Sequence, residues 1–298
     1  MTNDLPAWSE PFATGNRDHL GRRGPWGAVD RSWAFGDGTG RGLRIAIVDS
    51  GVEASHPAVG GRLVTSVAVE RMGEDWSVVE TDPLDVVGHG TASAGIIHAL
   101  VPEAELVSIR VLGPDNRGNG GAFAAGLQWA VEASGASVVN LSLSSRSDAW
   151  FAPFHELADL AYFRNVLLVC AANNVSVASY PSLFASVVSV AAHDVPDAAT
   201  WFYNPEPPVE FGAYGLNVDV AWRGGTRMVV TGNSFAAPHI AGYAARIRGA
   251  HPGLTPFETK SILAATADNA RSPGGPTPRS RGPRIETAGP RGAGRLRR

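Results

Sequence analysis

The chain has 298 residues, of which 44% are hydrophobic and 18% charged, an ordinary balance for a globular protein with a sizeable core. A formal net charge of -3 argues against a nucleic-acid partner, and no apolar run approaches the ~20 residues of a membrane span. The single cysteine, Cys170, excludes an internal disulfide.

The segment 1–24 is polar and broken by Gly and Pro, and reads as an N-terminal extension. It lacks a basic stretch followed by an apolar one, so no signal peptide is expected and the default location is the cytoplasm. Residues 43–48 (LRIAIV) read as a buried strand that ends on Asp49. Residues 89–100 read as a helix opening on Gly-His-Gly-Thr, and 105–112 as a second strand. A glycine-rich loop, 113–121, leads to a helix at 122–134, a strand at 136–143, a helix near 153–164 and a strand at 166–171. Short strands follow near 186–191, 217–221 and 227–231. An Ala-rich helix with an early Pro238 covers 233–249, and a last helix covers 256–267. Strands alternating with helices predict an α/β fold with a mainly parallel sheet covered on both faces. The tail 271–298 holds eight Arg against one Glu and lacks the apolar content to fold, so it is expected to be disordered.

In such sheets the functional cleft lies at the carboxyl ends of the strands. Asp49, Asn140 and Asn174 each follow an apolar strand-like run and are candidates for it. A carboxylate there can orient and charge-stabilise an imidazole, although Asp after a strand is more often a turn residue. His89 stands between two glycines at a helix start, where the plain alternative is a polar first-turn residue. Ser234 stands in the first turn of the long helix, where free N–H groups and the helix dipole favour developing negative charge. Its plain alternative is an N-cap, which the Ala-rich surround and Pro238 disfavour. Asn174, at the end of LVCAANN, has an amide that can donate to an oxyanion, or can simply serve a turn. Cys170, in VLLVCAA, reads as a small buried hydrophobe. The other histidines show no metal-ligand spacing, and neither metal nor cofactor is expected.

Together IAIVDSGVEASHP, GHGTASAGII, VVNLSLSS, CAANN and GNSFAAPHIAG resemble the subtilisin-like (subtilase) serine peptidases, in the Asp, His, Ser order of that family. The resemblance runs from about Pro25 to Asp268. It implies a three-layer subtilisin-like α/β fold over residues 25–270. It also implies a serine endopeptidase with Ser234 as nucleophile, His89 as general base and acid, Asp49 as its orienting carboxylate and Asn174 as oxyanion donor. Ser142, Leu143 and Ser144, with the loop from Asn116 through Gly118 to Asn119, would line the peptide-binding edges, and a peptide or protein substrate would add there as an extended strand. The chain departs from the family pattern at Asn233, usually Thr, which still offers an oxyanion donor. It departs again at Asn173 and Ser144, both usually Gly, with Val175 and Ser179 at further pocket positions. Asn173 is expected to narrow the main specificity pocket, and the absence of an acidic pocket residue implies a neutral P1 side chain of small to medium size. The short 97–107 connection, and Ala58 where a carboxylate is usual, imply that the family's tight calcium site is missing. The short extension implies a chain without its own folding pro-domain and, with the other features, a selective intracellular processing protease. The alternatives are a transpeptidase or macrocyclase on the same scaffold, and a silent peptide-binding module.

Overall fold

The computed structural model describes residues 29–206 and 208–270. The expectations for the segment 1–24 and the tail 271–298 lie outside these residues.

The sheet grows outward from β1 (Arg44–Asp49), whose last five residues are all buried. Its period-two alternation sends Ile45 and Ile47 into one core and Ala46 and Val48 into the other. A strand buried on both faces reads as a continuous apolar run rather than an alternating one. The same holds for β4 (Glu105–Arg110), β5 (Val138–Leu141) and β6 (Leu167–Ala171), so these strands were legible in the sequence. The sheet continues through β7 (Val188–His193) and β9 (Phe211–Tyr214) on one side and β2 (Leu63–Met72) on the other. These seven strands pair in parallel. Antiparallel edges, β3 (Asp75–Glu80) beside β2 and β8 (Trp201–Tyr203) beside β9, complete nine strands in the order β3-β2-β4-β1-β5-β6-β7-β9-β8. A separate hairpin joins β10 (Val218–Trp222) to β11 (Thr226–Val230).

Helices cover both faces. On one lie α2 (His89–Leu100), α5 (Asn233–Ala250) and α6 (Pro256–Ala265), over the core that contains Ile47, Trp201 and Phe211. On the other lie α3 (Gly120–Glu132) and α4 (Phe151–Phe163), over the core built on Phe123, Leu127 and Phe154. This is the three-layer arrangement expected. A short helix, α1 (Arg31–Phe35), packs Phe35 on Tyr243 of α5, and its Arg31 guanidinium lies 3.7 Å over the Trp201 ring. The helix α6 starts with a capping box between Thr255 and Glu258.

The sequence left out α1, β2, β3, β8 and β9. The hairpin β2–β3 is half-exposed and carries Glu70, Arg71 and Glu74 near its turn, so it shows no apolar run. The strands β8 and β9 have only three and four residues, too short for periodicity to register.

Candidate active site

The topology brings the carboxyl ends of β1, β5 and β6 against the amino ends of α2 and α5. Asp49 closes β1 and is fully buried. His89 is the first residue of α2, and its Nδ1–H donates to both Asp49 oxygens, at 2.8 and 2.9 Å. The Ser50 backbone N–H donates to Asp49 Oδ1 at 2.7 Å, and the Ser93 hydroxyl reaches Oδ2 at 3.4 Å. With its lone pairs so occupied, the carboxylate fixes the tautomer of His89 and leaves Nε2 as the free ring nitrogen. Burial disfavours the charged imidazole, but the Asp49 charge and hydrogen bond, then the charge of Asp85, outweigh it and hold the His89 pKa above its ordinary value. The Phe235 ring lies 5.0 Å from the imidazole and walls one side of it.

Ser234 is the second residue of α5 and is half-buried at the helix's positive end. Pro238, four residues on, has no N–H, so the Ser234 carbonyl loses its helical partner. The Ser142 hydroxyl, just beyond β5, donates to that carbonyl at 2.9 Å. Ser142 in turn accepts from the Asn140 amide at 2.9 Å. The proline that looks misplaced in a helix thus frees a backbone acceptor, and the neighbouring strand uses it to hold the serine's main chain.

Asn174 follows β6. Its Oδ1 accepts the Asn233 backbone N–H at 2.9 Å, which fixes which end of the amide faces the cleft. Asn174 Nδ2 and Ser234 Oγ lie 3.6 and 3.4 Å from the point that a Cβ on Gly232 would occupy. The donor and the hydroxyl therefore both border the space over a glycine that leaves it open. A cleft of about 520 Å³ is lined by His89, Ser234 and Asn174 together with Ser142, Leu143, Ser144, Asn116 and Gly118.

Four sequence expectations are corrected. Asn233 does not face the oxyanion space. Its amide donates to the carbonyls of Ala172 and Asn173, at 3.2 Å each, and its Oδ1 accepts from the Ala192 N–H at 2.8 Å. The side chain staples the end of β6 to β7 instead. Asn173 does not line the cleft, because its Oδ1 turns back to the Val175 N–H at 2.9 Å in an Asx turn. Asn140 stays fully buried behind Ser142 and does not point into the cleft. Ser179 is buried too, with its hydroxyl on Ser182.

Sequence reasoning missed Ser93, Asp85 and Arg146. Ser93 sits mid-helix, where nothing in the chain marks it as facing Asp49. Asp85 lies four residues before His89 in an irregular stretch. Arg146 is exposed at the cleft rim and is the one lysine or arginine among the described lining residues. Cys170 is buried, which pushes its thiol pKa far above the ordinary value, and its Sγ–H points at the Leu143 carbonyl, 3.4 Å away. His239 is held neutral, with burial lowering its pKa to about 4, and its Nδ1–H donates to the Phe235 carbonyl at 2.9 Å. Among the described residues no three His, Cys, Asp or Glu side chains gather as a metal would require. Among the same residues no helix is long and apolar enough to cross a membrane.

The model of the subtilase family matches residues 40–282. Subtilisin BL of Lederbergia lenta is 33% identical over 262 residues, covering 83% of this chain and 93% of that protein. A thermostable alkaline protease of Halalkalibacterium halodurans is 30% identical over 84% of this chain and 69% of its own length. Among solved structures, a cold-adapted subtilisin-like serine proteinase superposes with a TM-score of 0.63 at 25% identity, covering 78% of this chain and 86% of that one. The chain belongs to the subtilase family, and it is a serine endopeptidase that acts on peptide or protein substrates.

Proposed function

We propose that Ser234 is the nucleophile of this peptidase, with His89 as its general base, Asp49 orienting His89 and Asn174 donating to the oxyanion. The observation that carries this reading is the Asp49 carboxylate held on His89 Nδ1, with His89, Ser234 and Asn174 all on one cleft. His89 Nε2 takes the Ser234 proton as Oγ attacks the scissile carbonyl, and the tetrahedral oxyanion forms beside Asn174 Nδ2 and the Ser234 N–H. The imidazolium then protonates the leaving amine, and water hydrolyses the acyl-enzyme by the same steps in reverse order. Half-buried Ser234 and exposed Asn174 are open to water, which supports hydrolysis over transfer to an amine.

The base must be neutral to act. With the His89 pKa raised, kcat/KM climbs with pH through an apparent pKa above the usual ~6.5. The pair's contribution to stability runs the other way. It is fully present below that unfolded value and is lost as pH rises through the folded one.

The substrate reading is a selective processing protease of the cytoplasm that accepts neutral P1 side chains. Its support is a lining of Ser142, Leu143 and Ser144 with no carboxylate among the described lining residues, and a lone buried cysteine suited to a reducing compartment. A fluorophosphonate label on Ser234, absent from Ser234→Ala, tests the nucleophile. A mass-resolved peptide library tests the rest: strong cleavage after Lys or Arg overturns the P1 reading, and cyclic or ligated products overturn hydrolysis.

A further inference from the structure

We infer that Asp85 is a positioning residue for the reaction: a second buried carboxylate that locks the Asp49–His89 pair in register and adds a negative charge behind the imidazole. This rests on the role assigned to His89 above.

The N-cap position of α2 is Gly88, which has no side chain to cap the helix. Asp85 supplies the cap from three residues upstream. Its Oδ1 accepts the N–H groups of Val87 and Gly88, at 2.9 and 2.7 Å. Its Oδ2 accepts the N–H and the hydroxyl of Thr91, each at 2.7 Å. These bonds enclose His89 on both sides along the chain. A further bond leaves the helix, since the Ser50 hydroxyl donates to Asp85 Oδ1 at 2.8 Å while accepting the Gly90 N–H at 3.1 Å. Ser50 adjoins Asp49, and Gly90 adjoins His89. Asp85 and Ser50 therefore form one strap from the residue after the orienting carboxylate to the residue after the base.

The backbone is shaped for this strap. A Cβ on Gly51, at φ +103°, would lie 2.1 Å from the Leu84 carbonyl oxygen, and one on Gly90 would lie 2.0 Å from the Gly51 carbonyl oxygen. Gly51 also bridges Asp85 in antiparallel fashion. The main chains of the Asp49 turn, the Asp85 turn and α2 meet at distances that only glycine permits.

The charge adds to the geometry. Asp85 is buried, so solvent screens it weakly. The other groups around His89 are Asp49 on β1 and, from α5, the uncharged Phe235, while the nearest titratable residue along α5, His239, is neutral. Farther out, Arg223 donates to the Val86 carbonyl, the Glu53 N–H donates to the Thr91 hydroxyl, and the Glu53 carboxylate accepts the Gly224 N–H. Among these, Asp85 is the acid that is both buried and bound to the turn carrying His89, and its charge favours the imidazolium that forms as Ser234 attacks.

The test is the pH profile of kcat/KM on a neutral peptide. Asp85→Asn lowers the plateau about three- to tenfold and moves the acidic limb to lower pH, because the imidazolium loses a charge that favours it. Asp85→Glu keeps the charge, so its limb stays in place while the plateau falls. A folded Asp85→Asn enzyme, shown by fluorophosphonate labelling, whose limb stays at the wild-type pH overturns the proposal. If that variant does not fold, Ser50→Ala carries the test. It cuts the strap and leaves the charge, so kcat falls severalfold with KM and the limb unchanged, and a wild-type kcat overturns the proposal. Wild-type protein that neither labels nor cleaves would instead sink the roles assigned to the triad.

Discussion

The two helical layers that sandwich the sheet are built differently. On the side of α2 and α5 the long helix is sunk in the protein, with 13 residues of α5 buried. The two helices approach so closely that a Cβ on Gly242 would lie 2.6 Å from Leu100. On the side of α3 and α4 the rings of Phe123 and Phe154 pack with centroids 4.6 Å apart, and the outer face is exposed, with Phe163 83% accessible. The residues assigned to catalysis start the helices of the first layer or end the strands beneath it, and none comes from α4. Two helix ends and a strand end converge there, so Asp49 meets His89 and Ser234 opens on the same cleft without long side chains. The second layer contributes burial, and α3 contributes its leading loop to the cleft rim.

The largest expected effect breaks the first layer alone. Ser234→Ala lowers kcat/KM by at least ~10⁴-fold and leaves the thermal midpoint unchanged, checked by peptide hydrolysis beside calorimetry. Asn174→Ala lowers kcat by about 10²–10³-fold with little change in KM, the range one oxyanion donor supplies in a subtilisin. The second layer answers in a different quantity. Phe154→Ala costs about 3–5 kcal/mol of stability in denaturant melts, while the enzyme that remains folded keeps its kcat. A large kcat defect there would mean the layers are not separable.

The smallest effect sharpens the link between strand and helix. Ser142→Ala removes the donor to the Ser234 carbonyl and lowers kcat by up to about tenfold. The loss shrinks when Pro238→Ala restores a helical N–H to that carbonyl, so a double-mutant cycle gives a coupling that differs from zero. Purely additive effects would show that the two groups do not share the carbonyl.

The central strands β1, β4, β5 and β6, the helices α2 and α5, and the residues Asp49, His89, Ser234 and Asn174 were all visible in the chain. Buried parallel strands are written as apolar runs, and the catalytic types sit at their ends inside short glycine-bounded motifs. The edge strands were hidden because half-exposed or three-residue strands carry no such run. Asn233 and Asn173 were misplaced for a different reason. An asparagine's sequence position fixes where its Cα lies, but its amide goes to whichever unpaired backbone group is nearest. That group was the end of β6 for Asn233 and the Val175 N–H for Asn173.

The sequence by itself determined the layer order, the family and the set of residue types brought to the cleft, because hydrophobic period and motif order are local properties of the chain. Only the tertiary structure decided which hydrogen-bonding groups those residues meet. It gave the Ser234 carbonyl to Ser142, turned Asn233 away from the oxyanion, and placed Asp85 behind His89. Each of these is a contact between segments distant in the chain or turned by the fold, settled by which buried polar group would otherwise be left without a partner.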